Sequence, residues 1–236
     1  MGGKLYGVGV GPGDSNLLTL KAVDVLNNVD YICVPQTRED RDSLALTIIK
    51  EKVDCNGRII RLRFPMIYEQ KELNIARDIA AAKIKEQLIK GKNLAFITIG
   101  DPLLYSTYIY LLNRIQKNSA DIEIETIPGI TSISACTASC NLPLTVEDEN
   151  LAIISEVEDE DNLEEIFKRF KNIVVMKLSR NFKQVYSLLD KRQLKENTIV
   201  ISRCGQKEEK IVEDIDQLDL NQIDYLSLLI IKQEVL

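Results

Sequence analysis

Three short turns hold the residue types in this sequence best suited to chemistry. The first is Gly7-Val-Gly-Val-Gly-Pro-Gly-Asp14, with glycines at alternating positions and a carboxylate at its end. The second is Gly100-Asp-Pro-Leu-Leu-Tyr-Ser-Thr107, and the third is Pro128-Gly-Ile-Thr-Ser132. The first matches neither common nucleotide fingerprint: Pro12 interrupts a G-x-G-x-x-G pattern, and no Gly-Lys-Ser/Thr ending follows. It reads either as a flat loop floor for a large ligand or as a tight turn before a helix capped by Asp14 or Ser15. In the second turn, Gly100 permits unusual dihedrals, Pro102 removes a backbone donor, and Asp101 offers an acceptor for hydroxyls or amines. The alternative there is an ordinary strand-to-helix turn with Asp101 as the cap.

What is missing narrows the chemistry further. The chain has no histidine, which excludes Ser-His and Cys-His nucleophile pairs, imidazole metal sites and imidazole acid–base catalysis. Reactivity must come from carboxylates, tyrosine, lysine, thiols, backbone groups or a bound cofactor. The five cysteines (Cys33, Cys55, Cys136, Cys140, Cys204) form no C-x-x-C pair. An odd number of them in a chain without a secretory pattern predicts free thiols. Cys136 and Cys140 lie one helical turn apart. They read as small buried residues rather than as metal ligands, and no metal is expected.

The elements that must position these turns follow from hydrophobic periodicity. Leu94–Ile99 is an apolar run, predicting a strand buried on both faces and pouring into Gly100. In an open α/β sheet, ligands bind beyond the carboxyl ends of the strands, where this turn would lie. Strands are also expected at Leu5–Val10, Asp30–Pro35, Arg58–Phe64 and Ile122–Ile127. Helices are expected over Leu17–Leu26, from a Ser43 cap to Lys50, over Glu72–Lys90 with Gly91 as terminator, and from about Tyr105 to Gln116. The Glu72–Lys90 helix carries Ile75, Ile79, Ala82, Ile84 and Leu88 as its apolar residues. This alternation predicts a mainly parallel sheet. The polar stretch 117–121 reads as a boundary, giving domains 1–117 and 122–236. Residues 133–140 are almost all small, suiting a closely packed helix. Beyond them, strands at Leu151–Ser155, Ile173–Leu178, Thr198–Arg203 and Tyr225–Ile231, with Glu209–Val212, alternate with helices at Asn162–Lys171 and Phe182–Leu189. That second half predicts a mixed sheet with antiparallel edges.

Bulk properties exclude other classes. The 236 residues are 45% hydrophobic and 28% charged, with formal net charge -6, which suits an ordinary soluble globular protein and argues weakly against a nucleic-acid partner. No apolar stretch reaches the roughly 18 residues that span a bilayer, and the N-terminus shows no signal pattern. A cytoplasmic protein is expected.

The order of the three turns resembles the tetrapyrrole (corrin/porphyrin) methyltransferase family over essentially the whole chain. Phe64-Pro-Met66, Thr98 to Tyr108, Met176-Lys177 and Tyr225-Leu-Ser-Leu-Leu229 are similar to the branch that methylates C(20) of precorrin-2 or cobalt-factor II in corrin biosynthesis. The resemblance implies the tetrapyrrole methylase fold, two α/β domains with an active-site cleft between them, S-adenosylmethionine as methyl donor, a tetrapyrrole substrate and a homodimer. Carried over by position, the donor would contact Gly100, Asp101, Leu103, Ser106, Thr107, Thr131, Ser132, Met176, Arg203 and Leu226. The loop Gly9, Gly11, Pro12, Gly13 and Asp14 would face the tetrapyrrole. A helix beginning near Ser106 would offer N–H groups to the donor's carboxylate. Asp101 and Tyr105 are candidates to accept the proton that leaves the methylated carbon, and Lys177 to pair with substrate carboxylates. Arg38, Arg41 and Arg63 would suit acidic substrate side chains. Enzymes on the same scaffold that methylate another corrin position, a protein side chain in diphthamide synthesis or a ribosomal RNA ribose are the alternatives within the class. A non-catalytic tetrapyrrole carrier is the alternative outside it.

Overall fold

A computed structural model describes residues 2–37, 43–65, 69–118, 121–157, 159–219 and 223–234. The chain divides into two compact units, Met1–Thr131 and Ser132–Leu236. The first holds a five-stranded sheet from β1 (Leu5–Gly9), β2 (Tyr31–Gln36), β3 (Ile59–Arg63), β4 (Leu94–Thr98) and β5 (Ile124–Ile127), in the order β3-β2-β4-β1-β5. Every pairing is parallel, as the strand–helix alternation demands.

β4 is buried at all five positions because helices cover both faces of this sheet. Ala95 and Ile97 pack toward a core with Ala22, Leu26, Leu46 and Ile49 from α1 (Leu20–Asn28) and α2 (Leu44–Lys50). Leu94 and Phe96 face the opposite core with Ile84, Leu88, Tyr108 and Leu111 from α3 (Gln70–Ile89) and α4 (Tyr108–Asn118). The period-2 alternation of a strand thus serves two separate cores.

The division at Thr131 falls later than the polar stretch 117–121. β5 pairs in register with β1, Leu5 against Ile124 through Val8 against Ile127, so it belongs to the first sheet. Two helix starts also differ from the periodicity. Leu17 ends a short 3-10 turn capped by Asp14, and α1 begins only after Thr19, whose hydroxyl accepts the Ala22 N–H. α4 begins at Tyr108, not near Tyr105, because the Ser106 hydroxyl takes the Tyr108 N–H at 3.1 Å. Ser43 precedes α2 without making a side-chain cap bond. Gly91 ends α3 as expected, in the left-handed region at φ 78 with its N–H on the Leu88 carbonyl.

In the second unit, β6 (Leu151–Ile154), β7 (Asn172–Val175), β8 (Thr198–Ser202), β9 (Lys210–Val212) and β10 (Ser227–Lys232) form a sheet ordered β6-β7-β10-β8-β9. Only β6·β7 is parallel, so the sheet is mixed as expected. Its core takes Leu163 and Phe167 from α6 (Glu160–Arg169) and Phe182, Val185 and Leu189 from α7 (Leu178–Lys191). α5 (Ser132–Ser139) opens this unit.

Candidate active site

The carboxyl ends of β1, β4 and β5 meet in a junction of three glycines. A Cβ built on Gly9 would sit 2.6 Å from the Gly100 carbonyl oxygen and 2.6 Å from the Gly129 nitrogen. One built on Gly129 would sit 2.1 Å from that same oxygen. Only bare backbone fits. The first two turns are also stitched together directly: Gly100 N–H donates to the Gly11 carbonyl at 2.8 Å, and Gly11 N–H returns a longer bond of 3.4 Å. Gly11 and Gly100 both have positive φ, 76 and 67.

Asp101 joins the second and third turns. One carboxylate oxygen accepts the Leu103 N–H at 2.8 Å and the other the Gly129 N–H at 3.1 Å. It therefore closes its own turn and clamps the third turn besides; it does not cap a helix, since α4 begins only at Tyr108. A carboxylate has lone pairs to spare after two such bonds. Ser106 is buried, its hydroxyl donating to the Pro102 carbonyl and accepting from Tyr108 N. It fixes the turn rather than leaving the helix start bare. Gly100 differs from its glycine neighbours: a Cβ there would meet nothing within 4 Å, so its α-carbon faces open space above the strand ends. Leu103 and Tyr105 are exposed beside it.

In the Gly-rich loop, Gly11 and Pro12 are buried, Gly13 and Asp14 half-buried. The Asp14 carboxylate accepts the Asn16 N–H at 2.8 Å, which is the cap role. Gly7 serves packing: a Cβ there would lie 2.1 Å from the Tyr108 ring, and the Tyr108 hydroxyl reaches Thr126 Oγ1 at 3.2 Å. Tyr108 and Leu111 are core, while Tyr110 stacks on Arg77 with the guanidinium 3.6 Å from its ring centre. Arg63 ends β3 and lines an open groove of about 1060 Å³ with Gln36, Thr37, Arg61, Ile75 and Ile79. Those two isoleucines, apolar residues of the expected helix, are exposed there. Arg38, Arg41 and Met66 lie outside the described residues.

The second unit gathers its own candidates at one end of its three central strands. Met176 and Lys177 follow β7, Arg203 follows β8, and Leu226 precedes β10, which runs antiparallel between them. Arg203 N–H donates to the Leu226 carbonyl at 2.9 Å, and its Nε to Asp224 Oδ2 at 2.7 Å. The other Asp224 oxygen accepts the Leu226 N–H at 2.8 Å. Met176 N–H donates to the Ile154 carbonyl. Ser132 is the first residue of α5, directly after Thr131. Tyr105, Lys177 and Arg203 all adopt left-handed backbone, φ 51, 51 and 52. Such conformations cost free energy in non-glycine residues and cluster where function demands a fixed geometry.

Sequence reasoning passed over two residues of this arrangement, Gly129 as third member of the glycine junction and Asp224 as the anchor of Arg203. Gly129 stood inside a quoted turn; nothing in the sequence marked Asp224. Among the described residues no group of three or more acidic, cysteine or histidine side chains is placed to hold a metal ion.

The model of the Tetrapyrrole (Corrin/Porphyrin) Methylases matches residues 4–219. A Methanocaldococcus jannaschii protein described as "Probable cobalt-precorrin-2 C(20)-methyltransferase" is 38% identical over 98% of this chain and 96% of its own length. The cobalt-precorrin-2 C(20)-methyltransferase of Salmonella typhimurium is 30% identical over 99% and 98%. Among solved structures, a uroporphyrin-III C-methyltransferase from Thermus thermophilus, complexed with S-adenosyl homocysteine, superposes with a TM-score of 0.69 at 20% identity, covering 98% of this chain and 92% of that one.

Proposed function

Since the chain belongs to the tetrapyrrole (corrin/porphyrin) methylase family, we propose that it is an S-adenosylmethionine-dependent C-methyltransferase acting on C(20) of cobalt-precorrin-2 in cobalamin biosynthesis. The likeness to two so named relatives along nearly their full lengths carries the substrate assignment. The open space above Gly100, where a side chain would intrude, fits a ligand lying close to the backbone. Bound S-adenosylmethionine supplies an activated, electrophilic methyl group.

The chain's own task is then alignment with water excluded, which can lower a barrier by roughly 7–11 kcal/mol. The glycine junction gives a flat backbone surface that side chains cannot disturb. Asp101, held by two N–H bonds, keeps acceptor capacity for a hydroxyl or ammonium of the donor. In this reading Gly100, Leu103, Ser106, Thr107 and Thr131 bind the donor from the first unit, and Ser132, Met176, Arg203 and Leu226 from the second. Asp224 holds the guanidinium of Arg203 and so acts as a positioning residue. Gly9 to Asp14 face the substrate, and Lys177 and Arg63 pair with its carboxylates. Asp101 and Tyr105 are the candidate proton acceptors. If Asp101→Asn methylates at the parent rate in a single turnover, with donor binding unchanged, the proton passes to Tyr105, and Tyr105→Phe must then slow that step.

The family resemblance also leads us to propose a homodimer, testable as a solution mass of about twice the 26.7 kDa of one chain. A cytoplasmic location is proposed with it; among the described residues no helix is long and apolar enough to cross a membrane. The deciding experiment is an anaerobic incubation with labelled S-adenosylmethionine and, in parallel, cobalt-precorrin-2 and metal-free precorrin-2. One methyl added at C(20) in the cobalt sample alone is the expected result. Methylation at another carbon, or donor binding without transfer to either substrate, overturns the assignment and moves the enzyme to a different branch.

A further inference from the structure

Three of the five cysteines, which methyl transfer does not use, converge in the second unit. Cys136 lies on α5 with its side chain in hydrogen-bond contact with Cys204, the residue directly after Arg203. Ser139, one turn along α5, places Oγ 3.8 Å from Cys204 Sγ. Cys140 stands within electrostatic reach of the same sulfur. Cys136 and Cys204 are buried, Cys140 partly so. Around them the backbone is tightly held, with Gly205 N–H on the Glu209 carboxylate at 2.5 Å and Cys140 N–H on the Cys136 carbonyl.

We propose that Cys136 and Cys204 form a redox-active dithiol, a modification site at which a peroxide converts the pair to an intramolecular disulfide. The contact gives the two sulfurs different roles. Cys204 accepts hydrogen bonds from Cys136 and then from Ser139, which draw its thiol below the usual range against burial and the nearby Glu209 carboxylate. Cys136, the donor in that contact and buried, is held above it. Of the two, Cys204 ionises the more readily and so supplies the attacking sulfur. It attacks one peroxide oxygen, the O–O bond breaks, hydroxide leaves, and a sulfenic acid forms on Cys204. Cys136 sulfur then attacks the Cys204 sulfur, and water departs with the remaining protons. In sum, two thiols and one hydrogen peroxide give one disulfide and two waters. A disulfide needs a sulfur–sulfur distance of about 2.04 Å, an approach of about 2 Å from hydrogen-bond contact.

The bond would tie α5, which begins at Ser132, to the turn that presents Arg203. On the reading of these residues as donor contacts, oxidation fixes their spacing and weakens donor binding. A thiol reagent restores it.

The test treats the full chain with hydrogen peroxide, blocks remaining thiols with iodoacetamide, and maps cross-linked peptides by mass. The expected result is loss of two free thiols of five, a single bridge between the peptides of Cys136 and Cys204, and recovery with dithiothreitol. S-adenosylhomocysteine affinity, measured by calorimetry, should fall at least fivefold on oxidation and return on reduction. Cys136→Ser should leave a dimedone-reactive sulfenic acid on Cys204 and an affinity indifferent to peroxide. Cys204→Ser should give neither bridge nor adduct. Five intact thiols after treatment, or a bridge to Cys140 or between chains, overturns the site. A Cys136–Cys204 bridge with unchanged affinity overturns the coupling to the donor. None of these thiol readouts depends on methyl transfer, so failure of the proposed reaction would register separately.

Discussion

Gly129→Ala is the sharpest perturbation the first unit offers. The new methyl carbon would lie 2.1 Å from the Gly100 oxygen and 2.8 Å from both Gly9 C and Gly9 Cα, where ordinary contact begins near 3.4 Å. All three obstacles are backbone atoms at the ends of β1 and β4, so no side chain can rotate away. Relief requires separating strands whose register is fixed by hydrogen bonds. Overpacking of this kind costs about 3 kcal/mol, the upper part of the usual range. At ~2–4 °C per kcal/mol for a chain of this size, the melting temperature should fall by ~6–12 °C. Gly100→Ala supplies the contrast. Its φ of 67 penalises any side chain, but its Cβ meets no atom within 4 Å. The left-handed backbone alone costs ~1–2 kcal/mol, or ~2–8 °C. The methyl group would instead occupy space assigned to the donor, and S-adenosylhomocysteine affinity should drop by about tenfold or more, equivalent to ~1.4 kcal/mol. Differential scanning calorimetry and titration calorimetry on both variants give four numbers. A Gly129→Ala protein melting with its parent would refute the junction, and a Gly100→Ala protein binding S-adenosylhomocysteine as tightly as its parent would refute the placing of the donor above Gly100.

Other expectations are independent of that junction. Gly7→Ala should destabilise by ~1–3 kcal/mol through its clash with the Tyr108 ring, whereas Tyr108→Phe should cost only about 1 kcal/mol for the bond to Thr126; denaturant melts rank the two. Hydrogen bonds from Lys21 and then Lys4 hold the Glu125 carboxyl down at about 2. Its contribution to stability is therefore complete above its ordinary value of 4.5 and fades as pH falls toward about 2. Glu125→Gln should flatten that part of the curve of melting temperature against pH. Asp224→Asn should weaken donor binding by loosening Arg203 while leaving the far-ultraviolet circular dichroism unchanged; equal binding would mean that Arg203 holds its place without the carboxylate.

The legible part of this molecule was local. β4 and its Gly100 turn could be read because an apolar run long enough to be buried on both faces stopped at Gly-Asp-Pro. Gly91 announced the end of α3 by the same kind of short-range rule. What escaped depended on chain segments far apart in sequence. Gly129 meets Gly9 only because β5 returns beside β1, and no periodicity encodes which strand lies beside which. Asp224 sits in an acidic, loop-like stretch and acquires its partner only when β10 enters between β7 and β8. α4 began late for a subtler reason: the Ser106 hydroxyl competes for the backbone donor that would have extended the helix. Ile75 and Ile79 had helical spacing yet are exposed, because periodicity locates a stripe without showing how far the opposing sheet extends.

The position of β10 has a consequence in time. Val175 pairs with Leu229, so during synthesis β7 waits for about 50 further residues, ~3–10 s at ribosomal rates of ~5–20 residues per second. Until then the second sheet exists as two fragments, β6·β7 and β8·β9, each with an apolar edge open where the central strand will be. The first unit suffers no such delay, since β5 completes its sheet before the second unit begins. Nascent chains should therefore recruit chaperones late. A ribosome paused before β10 would expose a half-closed second sheet after the first is complete.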